Sequence, residues 1–232
     1  MQKRLYVILC LAFTALFIRS SAQAIPSFRG YTGLLIVPTA DALDRGDWNA
    51  GIFWEDVSSG TVNSYVANYG FAKNVEIGFD RFRLDDNSPS KTLLNAKWAF
   101  LPETGGRPGV AAGIIDITND LETTVYVVAS KSLTSVLGTY NGEIITPRVH
   151  VGFGGGGFDG LFAAISTYLG NRIQVIAEWD SNNVQLGGRF RLTPSFTVHV
   201  GWFNVGDKDN PGSPFARSSD SFGVGVSYDQ MY

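Results

Sequence analysis

The stretch from Arg172 to Phe203 constrains the fold most, because apolar and polar side chains alternate through three consecutive segments. Turn-forming residues separate the segments, namely Ser-Asn-Asn at 181–183 and Thr-Pro-Ser at 193–195. Successive side chains of a strand point to opposite faces, so the pattern predicts an antiparallel meander with one apolar face and one polar face. The apolar face would carry Ile173, Val175, Ala177, Trp179, Val184, Leu186, Phe190, Leu192, Phe196, Val198, Val200 and Trp202.

Two environments can hold such a sheet: a soluble barrel or sandwich with its apolar face inside, or a membrane barrel with that face toward lipid. All five tryptophans fall near predicted strand ends, as in the aromatic belts of membrane proteins. Charged residues share the opposite parity on many strands, which favours a membrane barrel with a polar lumen. The predicted lumen residues are Glu55, Glu76, Lys97, Arg148, His150, Glu178, Arg189 and Arg191, and the same face would include Asp80 and Arg172.

The alternation extends over residues 47–232 and predicts an all-β, antiparallel, up-and-down transmembrane β-barrel of about 12 strands, each about 8–11 residues long. Short connections fall mainly at one end and longer ones at the other. The connection at 132–142 is long although it falls at the end where the other connections are short. This exception suggests that the strands near it are miscounted. The last strand, 221–232, ends on an aromatic residue in phase with its apolar face, like the C-terminal strand by which outer-membrane barrels are recognised for insertion.

Residues 1–24 have the pattern of a secretory signal peptide, with basic Lys3 and Arg4, an apolar core, and Ala-Gln-Ala at 22–24 before the cleavage point. The single cysteine, Cys10, lies inside this segment, so disulfides and thiol catalysis are not expected in the mature chain. A formal net charge of −3 gives no electrostatic case for nucleic acid. We therefore expect export to the outer membrane, with residues 25–46 in the lumen or at the periplasmic mouth of a barrel formed by 47–232.

The segment Gly30-Tyr-Thr-Gly33-Leu-Leu-Ile-Val-Pro38-Thr39-Ala40, followed by Gly46, resembles the opening motif of the YjbH-type outer-membrane β-barrel proteins. A second block of that family is similar to residues 157–162 and 177–180. The resemblance implies a role in exopolysaccharide production. It also implies outer-membrane lipid, and polysaccharide or envelope-assembly proteins, as partners. It supplies no catalytic residues, and the family's larger members are several times longer than this chain.

The sequence supports a catalytic or cofactor-binding role less well than it supports a membrane barrel. Residues 152–157 fit G-x-G-x-x-G, but no helix is predicted after them, so we interpret the run as a flexible outer loop and expect no cofactor. No spacing of histidines, cysteines or carboxylates suggests a metal site. A lipid hydrolase would need a histidine–serine pair at the outer rim, whereas His150 and His199 face the predicted lumen. Glu55 and Glu76 could act on a glycan only if they lay close together.

The sequence thus favours a non-enzymatic outer-membrane β-barrel linked to exopolysaccharide export or envelope assembly. Two alternatives remain: an outer-membrane lipid-modifying hydrolase, and a soluble periplasmic β-barrel that binds a small apolar ligand. The directions of the Trp179 and Phe190 side chains distinguish a membrane barrel from a soluble one.

Overall fold

A computed structural model describes residues 24–57, 60–84, 89–133, 138–140, 143–170, 172–206 and 220–230. Its strands are β1 (Trp48–Val57), β2 (Gly60–Ala72), β3 (Val75–Leu84), β4 (Lys91–Leu101), β5 (Gly109–Ile115), β6 (Thr124–Ser132), β7 (Gly138–Tyr140), β8 (Glu143–Ile145), β9 (Pro147–Gly155), β10 (Gly160–Leu169), β11 (Ile173–Trp179), β12 (Val184–Arg191), β13 (Phe196–Phe203) and β14 (Ser221–Gln230). Twelve of them form a closed antiparallel barrel in chain order, with β6 paired to β9 and β14 closing onto β1, while β7 and β8 form a separate ribbon. The predicted barrel is confirmed.

The apolar parity of the strands faces outward. Trp179 is 40% exposed and Phe190 is 42% exposed, and both lie on the outer surface of the wall. The neighbouring positions Glu178 and Arg189 are buried on the inner face. This sidedness is the one that a membrane barrel requires, because a soluble barrel would bury the large aromatic side chains inside. The soluble alternative is therefore wrong.

Aromatic side chains mark both ends of the apolar outer surface. We call the end where the chain enters β1 and leaves β14 the terminal end, and the opposite one the far end. At the terminal end, Trp48 stacks on Tyr228 with ring centroids 5.3 Å apart. At the far end, Trp202 pairs in register with Phe222. Two such bands, one at each membrane–water boundary, are typical of transmembrane barrels.

The long connection at the terminal end does not reflect a strand miscount. It contains the β7–β8 ribbon, and the barrel keeps twelve strands. Strand β9 begins only at Pro147, because Glu143–Ile145 belongs to the ribbon. Strands β5 and β6 are separated by residues 116–123. The Asp116 carboxylate accepts backbone N–H groups from Asp120, Leu121 and Glu122, and so organises a far-end loop between them.

The glycine run is not a flexible loop, because Gly152–Gly155 completes β9. A Cβ on Gly152 would lie 2.1 Å from Cζ of Phe162, and one on Gly154 would lie 3.0 Å from Cβ of Phe158. The two glycines leave room for aromatic rings inside the barrel. The run therefore serves packing.

Residues 24–46 lie within the barrel, and we call this segment the plug. Every residue from 24 to 40 is buried. Two isolated bridges, Pro26–Thr32 and Gly33–Pro38, fold the plug back on itself, and Gly46 donates to the Gly70 carbonyl where the plug reaches the terminal end. In the part of the chain that is described, we find no helix of the length and hydrophobicity that crossing a bilayer demands.

Candidate functional site: the interface between plug and lumen

Glu178 on β11 binds the tip of the plug. Its carboxylate accepts backbone hydrogen bonds from Leu35 at 2.6 Å, Ile36 at 2.9 Å and Val37 at 3.2 Å. Three consecutive N–H groups converging on one anion form a nest, an arrangement that favours negative charge. A predicted lumen carboxylate therefore holds the apolar tip of the plug, residues 35–37.

Arg189 on β12 binds the same part of the plug from its carbonyl side. The Nη2 atom donates to the carbonyl oxygens of Pro26 at 3.1 Å, Gly33 at 2.8 Å and Leu34 at 2.7 Å. Its Nε atom donates to Nδ1 of His199 at 3.1 Å. A single buried cation thus satisfies several peptide carbonyls that would otherwise be desolvated without partners.

A buried ion pair anchors the first part of the plug. The Arg29 guanidinium donates to both carboxylate oxygens of Glu55 on β1, at 2.8 and 3.3 Å. Ser221 also donates to Glu55 at 3.1 Å, and Arg29 lies over the Phe203 ring at 5.3 Å from its centroid. Planar two-point contacts of this kind fix orientation as well as charge.

A second ion pair lies on the wall between β3 and β4. Nζ of Lys97 is 3.0 Å from Oε1 of Glu76. Both groups bind the plug: Lys97 donates to the Thr32 carbonyl at 2.9 Å and contacts its hydroxyl, and Glu76 accepts from the Leu43 N–H at 3.0 Å. Glu55 and Glu76 are therefore engaged in different ion pairs, an arrangement that does not support paired-carboxylate glycan hydrolysis.

The inner wall is not uniformly polar, contrary to the sequence prediction. Leu35, Ile36 and Val37 belong to one buried cluster with apolar side chains of the wall. Phe28 of the plug packs against Phe53 and Phe203, with centroid distances of 4.6 and 5.1 Å. The wall residues of this cluster include Val66, Ala99, Ala111, Ile115, Tyr126, Val128, Phe158, Phe162, Ala164 and Ile176. Apolar residues such as Phe53, at polar-parity positions, were the signal in the sequence for an apolar segment inside the barrel.

Arg148 joins the plug to the wall at the terminal mouth. Its Nη2 atom is 2.8 Å from Asp41 of the plug and 3.1 Å from Glu103 in the β4–β5 turn. Burial alone would raise the pKa of Asp41, but the hydrogen bond and charge of Arg148 outweigh it and hold that pKa below its ordinary value. For Glu103, burial is likewise outweighed by the Ser132 N–H and by Arg148, so its pKa is lowered.

The two remaining predicted arginines lie toward the terminal end. Arg191 is half-buried at the end of β12. Arg172 lies in the turn before β11 and is exposed, so its assignment to the lumen face is wrong. The strand begins only at Ile173, which leaves Arg172 beyond the wall.

Both histidines are buried in the lumen and each pairs with a serine. His150 Nδ1 lies 2.8 Å from Oγ of Ser130, and His199 Nε2 lies 2.8 Å from Oγ of Ser227. Ser130 Oγ also accepts the Ala40 N–H at 2.9 Å, so the plug covers it. A hydrolase serine must reach its substrate from the rim. Neither pair offers that access.

The predicted motif residues Gly30, Gly33, Pro38, Thr39 and Ala40 all lie in the plug. Gly30 has φ of 79°, a left-handed conformation that suits glycine. A Cβ on Gly33 would lie 2.5 Å from the Val37 carbonyl oxygen, so the tight Gly33–Pro38 turn also depends on glycine. Pro38, Thr39 and Ala40 are buried as the chain returns toward the terminal end. The motif therefore encodes the shape of the plug.

A small gap lies beside the plug. The gap next to Tyr31, bounded by Glu76, Asn95 and Lys97, has no room for a water molecule. A larger groove of about 680 Å³ lies on the outer wall across β4, β5, β6 and β9, where Trp98, Val127 and Phe153 line it. Within the described residues, no group of three or more metal-binding side chains occurs.

These features define a transmembrane β-barrel of the outer-membrane type, filled by its own N-terminal segment. The chain matches no protein-family model and no curated protein sequence. Its fold is similar to that of the KdgM porin, with 10% identity and a TM-score of 0.53 over 79% of this chain and 99% of the porin.

Two further solved structures are more distant. An outer membrane channel from Pseudomonas putida F1 shares 9% identity, with a TM-score of 0.42 over 82% of this chain and 98% of that one. An active-site mutant of outer membrane phospholipase A from Escherichia coli shares 11% identity, with a TM-score of 0.42 over 82% and 92%. At these identities, the likeness to the porin bears on the fold alone.

Proposed function

We propose that this protein is a non-enzymatic outer-membrane β-barrel closed by its plug, and that it serves exopolysaccharide export or assembly of the cell envelope. The observation that carries the proposal is the contact of Glu178 and Arg189 with opposite sides of the Gly33–Pro38 turn. Charged side chains that line an open pore remain hydrated, whereas Glu178 and Arg189 form hydrogen bonds with the backbone of the plug. The resting barrel is thus a closed one.

A closed lumen favours an accessory role over that of a constitutive conduit. The link to exopolysaccharide rests on the resemblance of residues 30–40 to the YjbH-type motif. Outer-membrane lipid would contact the aromatic and aliphatic outer wall. Polysaccharide or envelope-assembly proteins would bind at the barrel ends, because the wall faces hydrocarbon.

Experiments on membranes and on purified protein test both the outer-membrane location of the protein and the closed state of its barrel. The folded protein should stay with urea-washed outer membranes and show heat-modifiable gel mobility. In planar bilayers it should give no steady conductance. A protein found wholly in the soluble fraction, or one that forms permanently open pores, contradicts the proposal.

The polysaccharide role needs a separate test in cells. Deletion of the gene should reduce surface exopolysaccharide, and complementation with the wild-type chain should restore it. A Ser130→Ala, His150→Ala double variant should complement equally well, because no catalysis is proposed. Unchanged polysaccharide after deletion would remove this role and leave the closed barrel standing.

A further inference from the structure

Three polar side chains lie side by side on the inner wall at the terminal end. Asn49 on β1 stands between its register partners Asn68 on β2 and Asp229 on β14. They are 0%, 2% and 4% exposed. Nδ2 of Asn68 donates to Oδ1 of Asn49, and Nδ2 of Asn49 donates to the Ala24 carbonyl, both at 2.8 Å. The cluster therefore touches the start of the plug.

Two acceptors in this cluster have no hydrogen-bond donor. They are Oδ1 of Asp229 and Oδ1 of Asn68, each buried and unpartnered in the described chain. The Asn68 oxygen faces β3, where a Cβ on Gly78 would lie 2.5 Å from it, so only the Asp229 oxygen is left on the β1–β14 side. A buried carboxylate oxygen without a donor costs about 1–3 kcal/mol. Arg189, the buried cation of β12, does not fill this role, because it donates to His199, Gln174 and the plug carbonyls. No other described side chain donates to Oδ1 of Asp229.

We propose that the mature chain begins at Ile25 and that its α-ammonium group binds the carboxylate of Asp229 in this cluster. The inference rests on cleavage after Ala24, which the Ala-Gln-Ala pattern predicts. Hydrolysis breaks the Ala24–Ile25 amide bond: water supplies hydroxyl to the Ala24 carbonyl carbon and hydrogen to the Ile25 nitrogen. That nitrogen then takes a proton from solvent, and the leader departs with the new carboxylate.

The position of Ile25 makes this placement specific. Its nitrogen is bonded to the carbonyl carbon whose oxygen Asn49 already binds. Ile25 itself is 2% exposed, and its own carbonyl accepts the Gly33 N–H at 3.0 Å. The new charge would therefore be generated inside the lumen, where it needs a partner. An ammonium has three donors and can supply the one that Oδ1 of Asp229 lacks.

Removal of the leader would then complete the plug. The uncleaved chain has only a neutral peptide N–H at this point, so the ion pair with Asp229 cannot form. Cleavage supplies the charge, and the first residue of the plug becomes fixed to β14. The anchored N-terminus would resist withdrawal of the plug from the barrel.

The first test uses folded protein purified from membranes. N-terminal sequencing should give Ile25 as the first residue, and another start overturns the proposal. Acetylation with an N-hydroxysuccinimide ester at pH 7 should then modify the α-amine at least tenfold more slowly in the folded barrel than in urea. Equal rates in the two states overturn it as well, whatever the conductance of the barrel.

Two variants test the partner group. Asp229→Asn should raise the acetylation rate of the α-amine in the folded protein at least tenfold. Asp159 is an exposed carboxylate after β9, and Asp159→Asn should leave that rate unchanged. Insertion of one serine after Ala24 leaves the wall intact and moves the ammonium away from its site, so protection should again be lost. Wild-type protection in both the Asp229→Asn and insertion variants overturns the proposal.

Discussion

Gly30 of the plug lies directly against Asp80 on β3: a Cβ at Gly30 would lie 2.2 Å from Cβ of Asp80. The contact leaves no room for any side chain, and the φ of 79° adds strain for other residues. Gly30→Ala should therefore destabilise the seated plug by about 3 kcal/mol. We expect a lower urea midpoint in lipid vesicles and conductance bursts in planar bilayers.

Gly46→Ala is the matched control for that change. Gly46 also has positive φ, at 94°, but no atom lies within 4 Å of an added Cβ. It should show only backbone strain of about 1 kcal/mol and no conductance. If both variants behave alike, close packing of Gly30 on the wall is not what seats the plug.

Glu178→Gln should loosen the plug tip without changing the size of the side chain. The amide has one acceptor oxygen in place of two and turns donors toward the N–H groups of residues 35–37. Loss of charge-assisted hydrogen bonds should cost about 2 kcal/mol, measured by urea unfolding in vesicles. Glu122→Gln, at an exposed loop carboxylate, should change nothing. Equal stability of the two variants would show that the Glu178 contacts contribute little.

Arginine substitutions at different depths in the bilayer test which part of the outer wall faces lipid. Val226 lies outward near the middle of β14, and Leu192 lies outward just past the terminal end of β12. Val226→Arg should cost about 2–4 kcal/mol, and Leu192→Arg about 1 kcal/mol or less, because water is closer there. Folding yield into vesicles measures both. Equal penalties would contradict the assigned membrane boundaries.

The sequence predicted the wall well, because period-two alternation directly reports which face each residue takes. Trp179 and Phe190 face outward and Glu178 and Arg189 inward, as the pattern required. The plug was predicted only as a segment in the lumen or at the mouth. Its contacts are long-range: Glu178 lies far along the chain from Leu35, and no local pattern links them.

The inner apolar residues show why the lumen was harder to predict. Alternation treats one face as uniform, yet Phe162 and Phe158 point inward against Gly152 and Gly154. A large ring on the inner face fits because a neighbouring segment carries a glycine there. Neither residue alone therefore reveals from the sequence that the ring points inward. The sequence predicts a flexible loop for the glycine run because no helix follows it, and nothing local indicates the rings that these glycines accommodate.

The serine–histidine pairs should prove structural. Ser130→Ala removes two buried hydrogen bonds, one with His150 and one with the Ala40 N–H, whereas His150→Ala removes only the first. We expect losses of about 2 and about 1 kcal/mol in stability. Turnover of lipid A and of phospholipid should be unchanged in both variants, because the plug covers Ser130. Loss of either lipid activity would restore the hydrolase alternative.

The contacts of Arg148 with Asp41 and Glu103 at the terminal mouth should make the stability of the seated plug depend on pH. Asp41 and Glu103 have pKa values below their ordinary 3.8 and 4.5, because Arg148 and local hydrogen bonds outweigh burial. Both carboxylates bind protons more weakly in the folded state. Their stabilisation is therefore complete above about pH 5, and it is lost as pH falls through the lowered pKa values.

Arg148→Gln removes the cause of this pH dependence. The variant should be less stable than wild type by about 2 kcal/mol at pH 7, because charge-assisted hydrogen bonds to Asp41 are lost. Its urea midpoint should fall less steeply than that of wild type between pH 5 and about pH 3. Glu122→Gln should keep the wild-type slope. A wild-type slope in Arg148→Gln would show that the acid sensitivity arises from carboxylates elsewhere in the chain.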